Sequence, residues 1–195
     1  MNYTCDNMKF NKPLILASSS PRRQFLLKEA GFVFTIDSPD IDESFPDLMP
    51  HDQVPVYLAE KKARALSAKI NDEIVIAADT VVILGDKILN KPASRDEAIQ
   101  MLTLLSGATH WVITGVCLLS KTKFTSFDDR TEVSFARLTA GEIEFYIDNY
   151  KPYDKAGSYG AQDWLGMVGI ERINGSYFNV MGLPMHKVYQ QLIQF

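Results

Sequence analysis

The 195-residue chain carries 20 Lys and Arg against 24 Asp and Glu, a formal charge of −4, with 46% hydrophobic and 23% charged residues. That balance is ordinary for a folded globular chain and supplies no basic face for a nucleic-acid polymer. No apolar run approaches the roughly 20 residues that span a bilayer, so no membrane partner is expected. The opening MNYTCDNMKFNKP lacks the apolar core of a secretory signal. The expectation is one domain over residues 13–195 behind a loosely held lead-in at 1–12, in the cytoplasm. Cys5 and Cys117 fit no metal or redox spacing, and Cys117 in VITGVCLL reads as a buried free thiol.

In chain order, LILAS at 14–18 reads as a short buried strand. Ser20 then offers an N-cap, Pro21 suits the first helical position and Gly31 the stop, with Phe25, Leu26, Leu27 and Ala30 on the apolar side. FVFTIDSPDIDESFPD holds a second strand and then an acidic loop. QVPVYLAEKKARALSAKI reads as a helix packing through Val56, Leu58, Ala59, Ala63 and Leu66. EIVIAADTVVIL at 73–84 is nearly all apolar, and Gly85-Asp86 turns it into KILNKP as a hairpin. Ser94 and Glu97 form a capping box for EAIQMLTLLSG, which Gly107 closes. THWVITGVCLLS and TKFTSFDDRTEVSFARL contain strands, with Trp111 expected in the core. Thr139 and Glu142 make a second capping box ahead of EIEFYIDNY. YKPYDKAGSYGAQDWLG is too rich in glycine and polar residues for a regular element. MVGIERINGSYFNV is expected to hold two strands around Asn174-Gly175, and MHKVYQQLIQF closes the chain as a helix. The irregular alternation predicts an α/β fold, a mixed twisted sheet with flanking helices.

Four stretches could carry chemistry. A strand delivering SSSPRR onto a helix N-terminus leaves backbone N–H groups beside the positive end of the helix dipole, and Arg22 and Arg23 add bidentate phosphate donors. Taken alone, the same stretch reads as a helix capped by Ser20 with two solvated arginines. Asp79 in IAADTVVIL is expensive to bury unless paired, hydrogen-bonded or metal-bound; it could also mark a strand end or an exposed face. The acidic loop DSPDIDESFPD supplies Glu43, although most of that run reads as solvated. In GSYGAQDWLG, three glycines permit close backbone approach, and Gln162 can donate and accept at a base edge; a plain glycine-rich loop is the alternative. Lys62, Lys91 and Lys155 are isolated lysines, each of which alone would be surface. His51, His110 and His186 show no ligand spacing and receive no role. Trp164 is available to stack on a base.

Together these stretches resemble the Maf family of nucleotide pyrophosphatases. The match runs in order through LASSSPRRQFLL, IDE at 41–43, LAEKKA at 58–63, AADTVV at 77–82, NKP at 90–92, LSG at 105–107, YDKAGSYGAQ at 153–162 and INGSYFNVMGLP at 173–184. The resemblance implies a fold related to the inosine triphosphate pyrophosphatases, with two lobes around a deep cleft. It implies hydrolysis of a nucleoside triphosphate between the α and β phosphates with a divalent metal cation, Mg²⁺ first and Mn²⁺ or Co²⁺ as alternatives. Asp79 falls on the family's proton acceptor. Arg22, Thr80 and Gln162 fall on its specificity positions, and that trio matches the branch acting on dTTP and UTP. Ser18, Asp154 and Lys155 fall on further motif positions. A triphosphate bound by an acidic protein needs locally concentrated cations, and Ser18, Arg23, Lys62 and Lys91 are the expected phosphate-binding set beside Arg22. Glu43 with Asp79 is the expected metal pair. The resemblance also makes a homodimer an expectation. Two other readings share it: a nucleotide-binding regulator of septum formation with weak hydrolysis, and an enzyme that removes modified pyrimidine triphosphates such as 5-methyl-UTP or pseudo-UTP.

Overall fold

Eleven consecutive residues of nearly unbroken apolar character, IVIAADTVVIL, form the strand around which the sheet is organised. A strand of that composition must be covered on both faces. In the computed structural model, which describes residues 12–195, the elements follow as β1 (Leu14–Leu16), α1 (Pro21–Glu29), β2 (Phe34–Ile36), α2 (Val54–Ala65), β3 (Ile74–Leu84), β4 (Lys87–Leu89) and α3 (Arg95–Leu105). They continue as β5 (Thr109–Leu119), β6 (Phe124–Phe135), α4 (Ala140–Tyr150), α5 (Trp164–Gly169), β7 (Ile170–Asn174), α6 (Tyr177–Val180) and α7 (Met185–Leu192). The sheet runs β2-β1-β3-β5-β6-β7, with β4 also paired to β3. It is parallel from β2 through β1 to β3 and antiparallel from there on, a mixed sheet flanked by helices as expected. The lead-in predicted at 1–12, apart from Lys12, and Cys5 lie outside the described residues.

Strand alternation sorts the core. Odd positions of β3, Val75 and Ala77, pack under α2 with Ala59, Ala63 and Cys117, and Val81 and Ile83 join Val54 and Leu58 further along. Even positions Ile74, Ile76 and Ala78 join Leu26 and Leu27 of α1 and Val188 and Leu192 of α7. Val82, still on the even face, belongs to a separate cluster with α3 and α4. Cys117 is buried and free, and burial pushes its thiol up to about 12. His110 is buried too. Its Nε2 pairs with the Tyr159 hydroxyl at 2.7 Å, and burial lowers its pKa to about 4, so the ring is neutral and structural. Among the described residues no helix is long and apolar enough to cross a membrane.

Several local expectations need correction. The second strand predicted after Asn174-Gly175 is instead the one-turn helix α6, capped by Ser176 Oγ, which accepts from Asn179 N. Burial of the Asn179 side chain against β5 and β6 outweighs the strand preference of Tyr-Phe. Met167–Gly169 lies in α5 rather than in a strand. Trp111 is 45% exposed, because it projects from the α2 face of the sheet one alternation beyond Ile113, which clusters with Val54 at the start of that helix. Phe25 is 54% exposed, and α1 packs through Leu26 and Leu27. The box at Ser94 is half formed: Ser94 Oγ accepts from Glu97 N, while the Glu97 carboxylate takes Ala93 N instead. The Thr139–Glu142 box is complete.

Gly115 of β5 governs how closely α2 lies on the sheet. A Cβ there would come within 2.3 Å of Pro55 C and Val56 N, backbone atoms that cannot swing aside. Gly115→Ala should therefore destabilise the protein by about 1–3 kcal/mol through overpacking. A denaturant melt reads this directly, and an unchanged midpoint would show that α2 does not rest on the Gly115 backbone.

Candidate active site

A gap in strand pairing creates the site. β1 pairs with β3 only as far as Ile76, and β4 joins the same edge only from Val82. Between those points the edge of β3 is open, and Asp79 and Thr80 project there to opposite faces. A cleft of about 250 Å³ occupies this place. It brings together the expected catalytic, specificity, phosphate-binding and metal positions: Asp79; Arg22, Thr80 and Gln162; Ser18, Arg23, Lys62 and Lys91; and Glu43.

On the α2 side, Lys62 Nζ lies 2.6 Å from Asp79 Oδ1 and 2.8 Å from Glu43 Oε1. Lys62 is one turn before the end of α2, between Ala59 and Ala63, whose burial against Val75, Ala77 and Cys117 seats that part of the helix on the sheet. The side chains of Lys62 and Asp79 are only 12% and 14% exposed, so each depends on its partner for the solvation it has lost. Partial burial alone would push the Glu43 carboxyl up, but Lys62, helped by Lys91 and Arg23, holds it below the usual carboxylate range. Two carboxylates on one ammonium leave one negative charge in excess. Mg²⁺ is commonly held by one or two carboxylates with substrate phosphates completing its shell, so Glu43 and Asp79 fit a hard divalent cation. Among the described residues, no group of three or more His, Cys, Asp or Glu forms a closed metal cage.

On the opposite face, Thr80 belongs to a buried polar chain. Thr114 Oγ1 donates to Asn179 O at 3.1 Å, which commits its single proton and makes Thr80 the donor of the Thr80–Thr114 pair at 2.9 Å. Thr80 Oγ1 in turn accepts from Arg23 Nη2 at 3.0 Å. The Arg23 guanidinium also donates to Ser18 Oγ at 3.1 Å and to the Gly182 carbonyl at 2.8 Å. Gly182 has φ +107°, a conformation that glycine adopts freely, and this turn aims its carbonyl at Arg23. Burial lowers the Arg23 pKa, with Asp79 opposing and Arg22 adding to the effect; an arginine in this position stays charged. Arg23 is thus a braced wall of the cleft rather than a loose surface cation. The cap expected of Ser20 is absent: its backbone is extended as a cap requires, but its side chain makes no cap hydrogen bond, and its N–H donates to Ser18 Oγ at 3.3 Å. The first-turn N–H groups of α1 have no intrahelical acceptor and lie at the cleft.

The third wall comes from the glycine-rich stretch, which winds through two 3-10 turns, Pro152–Asp154 and Ala156–Ser158. Arg22 Nη1 donates to Asp154 Oδ2 at 2.7 Å, and Lys155 Nζ to Asp154 Oδ1 at 2.8 Å. Burial would raise the Asp154 pKa, yet Lys155 and Arg22 together lower it. Asp163 organises the rest: it accepts from Tyr146 OH at 2.8 Å and from Gln162 Nε2 at 3.2 Å. Gln162 Oε1 is buried with no hydrogen-bond partner among the described residues. Lys91 is exposed at the cleft rim. Trp164 packs on Phe145 at 4.9 Å among core residues and does not line the cleft, so it is not available to stack there.

Sequence reasoning missed Thr114, Asn179, Tyr146 and Asp163, which orient the side chains that do line the cleft. Asp163 had a signal in its adjacency to Gln162; the other three lie far along the chain from the groups they hold.

The comparisons with known proteins follow the same span. Residues 13–195 match the family model for Maf-like protein. The chain is 48% identical over 192 residues to a dTTP/UTP pyrophosphatase of Parabacteroides distasonis, covering 97% of this chain and 99% of the relative. It is 49% identical over 181 residues to a dTTP/UTP pyrophosphatase of Phocaeicola vulgatus, covering 92% and 94%. Among solved structures, the Staphylococcus aureus Ham1 protein is a remote likeness, with a TM-score of 0.42 and 13% identity over 64% of this chain and 72% of that one, too distant to bear on fold or chemistry. Because the match extends from Pro13 to Phe195 and takes in all the cleft residues, the chain belongs to the Maf-like protein family.

Proposed function

We propose that this chain hydrolyses dTTP and UTP to the nucleoside monophosphate and pyrophosphate, aided by a divalent cation. The observation that carries the reading is the Asp79–Lys62–Glu43 ion cluster, set across one cleft from the N-terminus of α1 and Arg22. Its support in sequence is the near full-length kinship to proteins named dTTP/UTP pyrophosphatase. A triphosphate carries about four negative charges, and the cleft offers Arg22, Lys62, Lys91 and the free N–H groups of a helix start to receive them. Asp79 takes a proton from a water whose oxygen bonds to the α-phosphorus. The bond from the α-phosphorus to the bridging oxygen breaks, and pyrophosphate departs with that electron pair. Glu43 and Asp79 would hold Mg²⁺, which when bound supplies charge neutralisation at the phosphate oxygens. Positioning and charge stabilisation carry most of the acceleration in phosphoryl transfer generally.

Base choice follows from the orphaned acceptor. Uracil and thymine present an N3–H donor flanked by two carbonyls, whereas cytosine presents a bare N3 acceptor. Gln162 has one of its two Nε2 hydrogens committed to Asp163 and its Oε1 unpartnered, and that acceptor matches an N3–H. 5-Methyl-UTP and pseudo-UTP keep the N3–H, so the same contact serves them. Thr80 acts through Arg23, whose orientation it fixes.

Asp79→Asn preserves shape and should fold, while Mg²⁺-dependent pyrophosphate release from dTTP falls by about 10²–10⁴-fold, the usual worth of a positioned general base. Turnover at the wild-type rate would remove Asp79 from the chemistry. Gln162→Ala should narrow the UTP-over-CTP preference in kcat/KM by about tenfold or more, the worth of one satisfied buried hydrogen bond. An unchanged ratio would take Gln162 out of base recognition.

A further inference from the structure

Lys62 stands where a cation drawing on both carboxylates would have to stand. Its ammonium bridges Asp79 Oδ1 at 2.6 Å and Glu43 Oε1 at 2.8 Å, and its side chain is 12% exposed. A divalent cation shared by the same two carboxylates would lie within a few ångströms of that ammonium, in a site where water screens little. The two cations exclude each other unless the ammonium moves. The backbone around Lys62 does not move easily, since Ala59 and Ala63 on either side of it are fully buried against β3 and Cys117. The four-carbon stem can swing, and the cleft it would swing into is the one read above as receiving a triphosphate.

We propose that Lys62 is a built-in counter-ion that keeps the Glu43–Asp79 pair closed to divalent metal until a polyphosphate enters and draws the ammonium away. This rests on the functional reading above for the identity of the metal and the nucleotide. Metal and nucleotide then bind with positive coupling, and the coupling is reciprocal by linkage. Free enzyme does not collect divalent ions at its two carboxylates, and the metal is seated in the presence of the substrate it serves. The competing role for Lys62 is a plain staple. Its neighbour Lys61 already fastens the same acidic loop, donating to Ser44 O at 3.2 Å and pairing with Asp42 at 3.7 Å. A staple alone predicts that removing the ammonium loosens Glu43 and weakens any metal site. A counter-ion predicts the opposite.

The test is a Mn²⁺ titration of the nucleotide-free protein, with free Mn²⁺ followed by electron paramagnetic resonance. Lys62→Met, which keeps the stem and removes the charge, should bind Mn²⁺ at least about tenfold more tightly than wild type, because both carboxylates are released to the metal. Lys62→Arg, which keeps the charge, should stay as weak as wild type. Adding Glu43→Gln to Lys62→Met should abolish the gain. Lys62→Gln provides the same comparison should the methionine variant fail to fold. Equal Mn²⁺ affinity in wild type and the neutral variants, or weaker binding in the latter, overturns the proposal. Pyrophosphate release from dTTP by the same wild-type preparation keeps the two readings apart. Turnover together with equal Mn²⁺ affinities sinks the counter-ion role alone, whereas absent turnover sinks the functional reading.

Discussion

A carboxylate in the middle of an apolar strand sets the terms for everything around it. Asp79 projects from β3 under α2 with 14% of its side chain exposed, and it pairs with the Lys62 ammonium 2.6 Å away. That pairing constrains the fold at three removes. α2 must lie close to the sheet: glycine at position 115, opposite Asp79 in the ladder, admits its first turn at Pro55 and Val56, and buried Ala59 and Ala63 seat the part that carries Lys62. β1 must stop short and β4 start late, so that the edge of β3 beside Asp79 is open to the cleft. The acidic loop must bring Glu43 back to the same ammonium. A buried ion pair is weak evidence for stability. Here it places two carboxylates on one ammonium, and so an excess negative charge, in the wall of a cleft also lined by arginines.

The two faces of β3 divide the labour. Asp79 on one face is the group to which we assign the proton and metal chemistry. Thr80 on the other carries orientation, through a chain of hydroxyls and carbonyls that ends in Asn179 and Gly182. Arg22 and Arg23 are neighbours in sequence and opposites in environment. Arg23 is sunk among Ser18, Thr80 and Gly182, whereas Arg22 is engaged across the cleft with Asp154, a partner from the glycine-rich turns. One is a rigid cation braced by protein oxygens, and the other is held by a single salt bridge across the cleft.

Much of the fold was legible where a local rule is strong. Pro21 at a helix start, the Thr139–Glu142 box, Gly107 past a helix end and Gly85-Asp86 between strands each signal structure within a few residues. Reading failed where tertiary contacts decide. Tyr177–Val180 has strand-like side chains, yet Asn179 is buried with its amide on Val112 O and Thr131 Oγ1, and that anchorage forms a helical turn. Ser20 sits in the right place to cap, but its hydroxyl makes no such bond and it is Ser18 that receives the Ser20 N–H. The cleft-lining residues could be listed from motifs, because their types are chemically unusual for their surroundings. The groups that orient them could not, since Thr114, Tyr146 and Asn179 look like ordinary core-strand and helix residues until the fold joins them.

The measurement that bears most directly on the central reading is the fate of the water oxygen. Wild-type protein incubated with UTP and Mg²⁺ in H₂¹⁸O, followed by ³¹P NMR, should place ¹⁸O in the phosphate of UMP with unlabelled pyrophosphate as the co-product. Label in pyrophosphate, release of orthophosphate with UDP, or no turnover at all would contradict a water activated at Asp79 and delivered to the α-phosphorus.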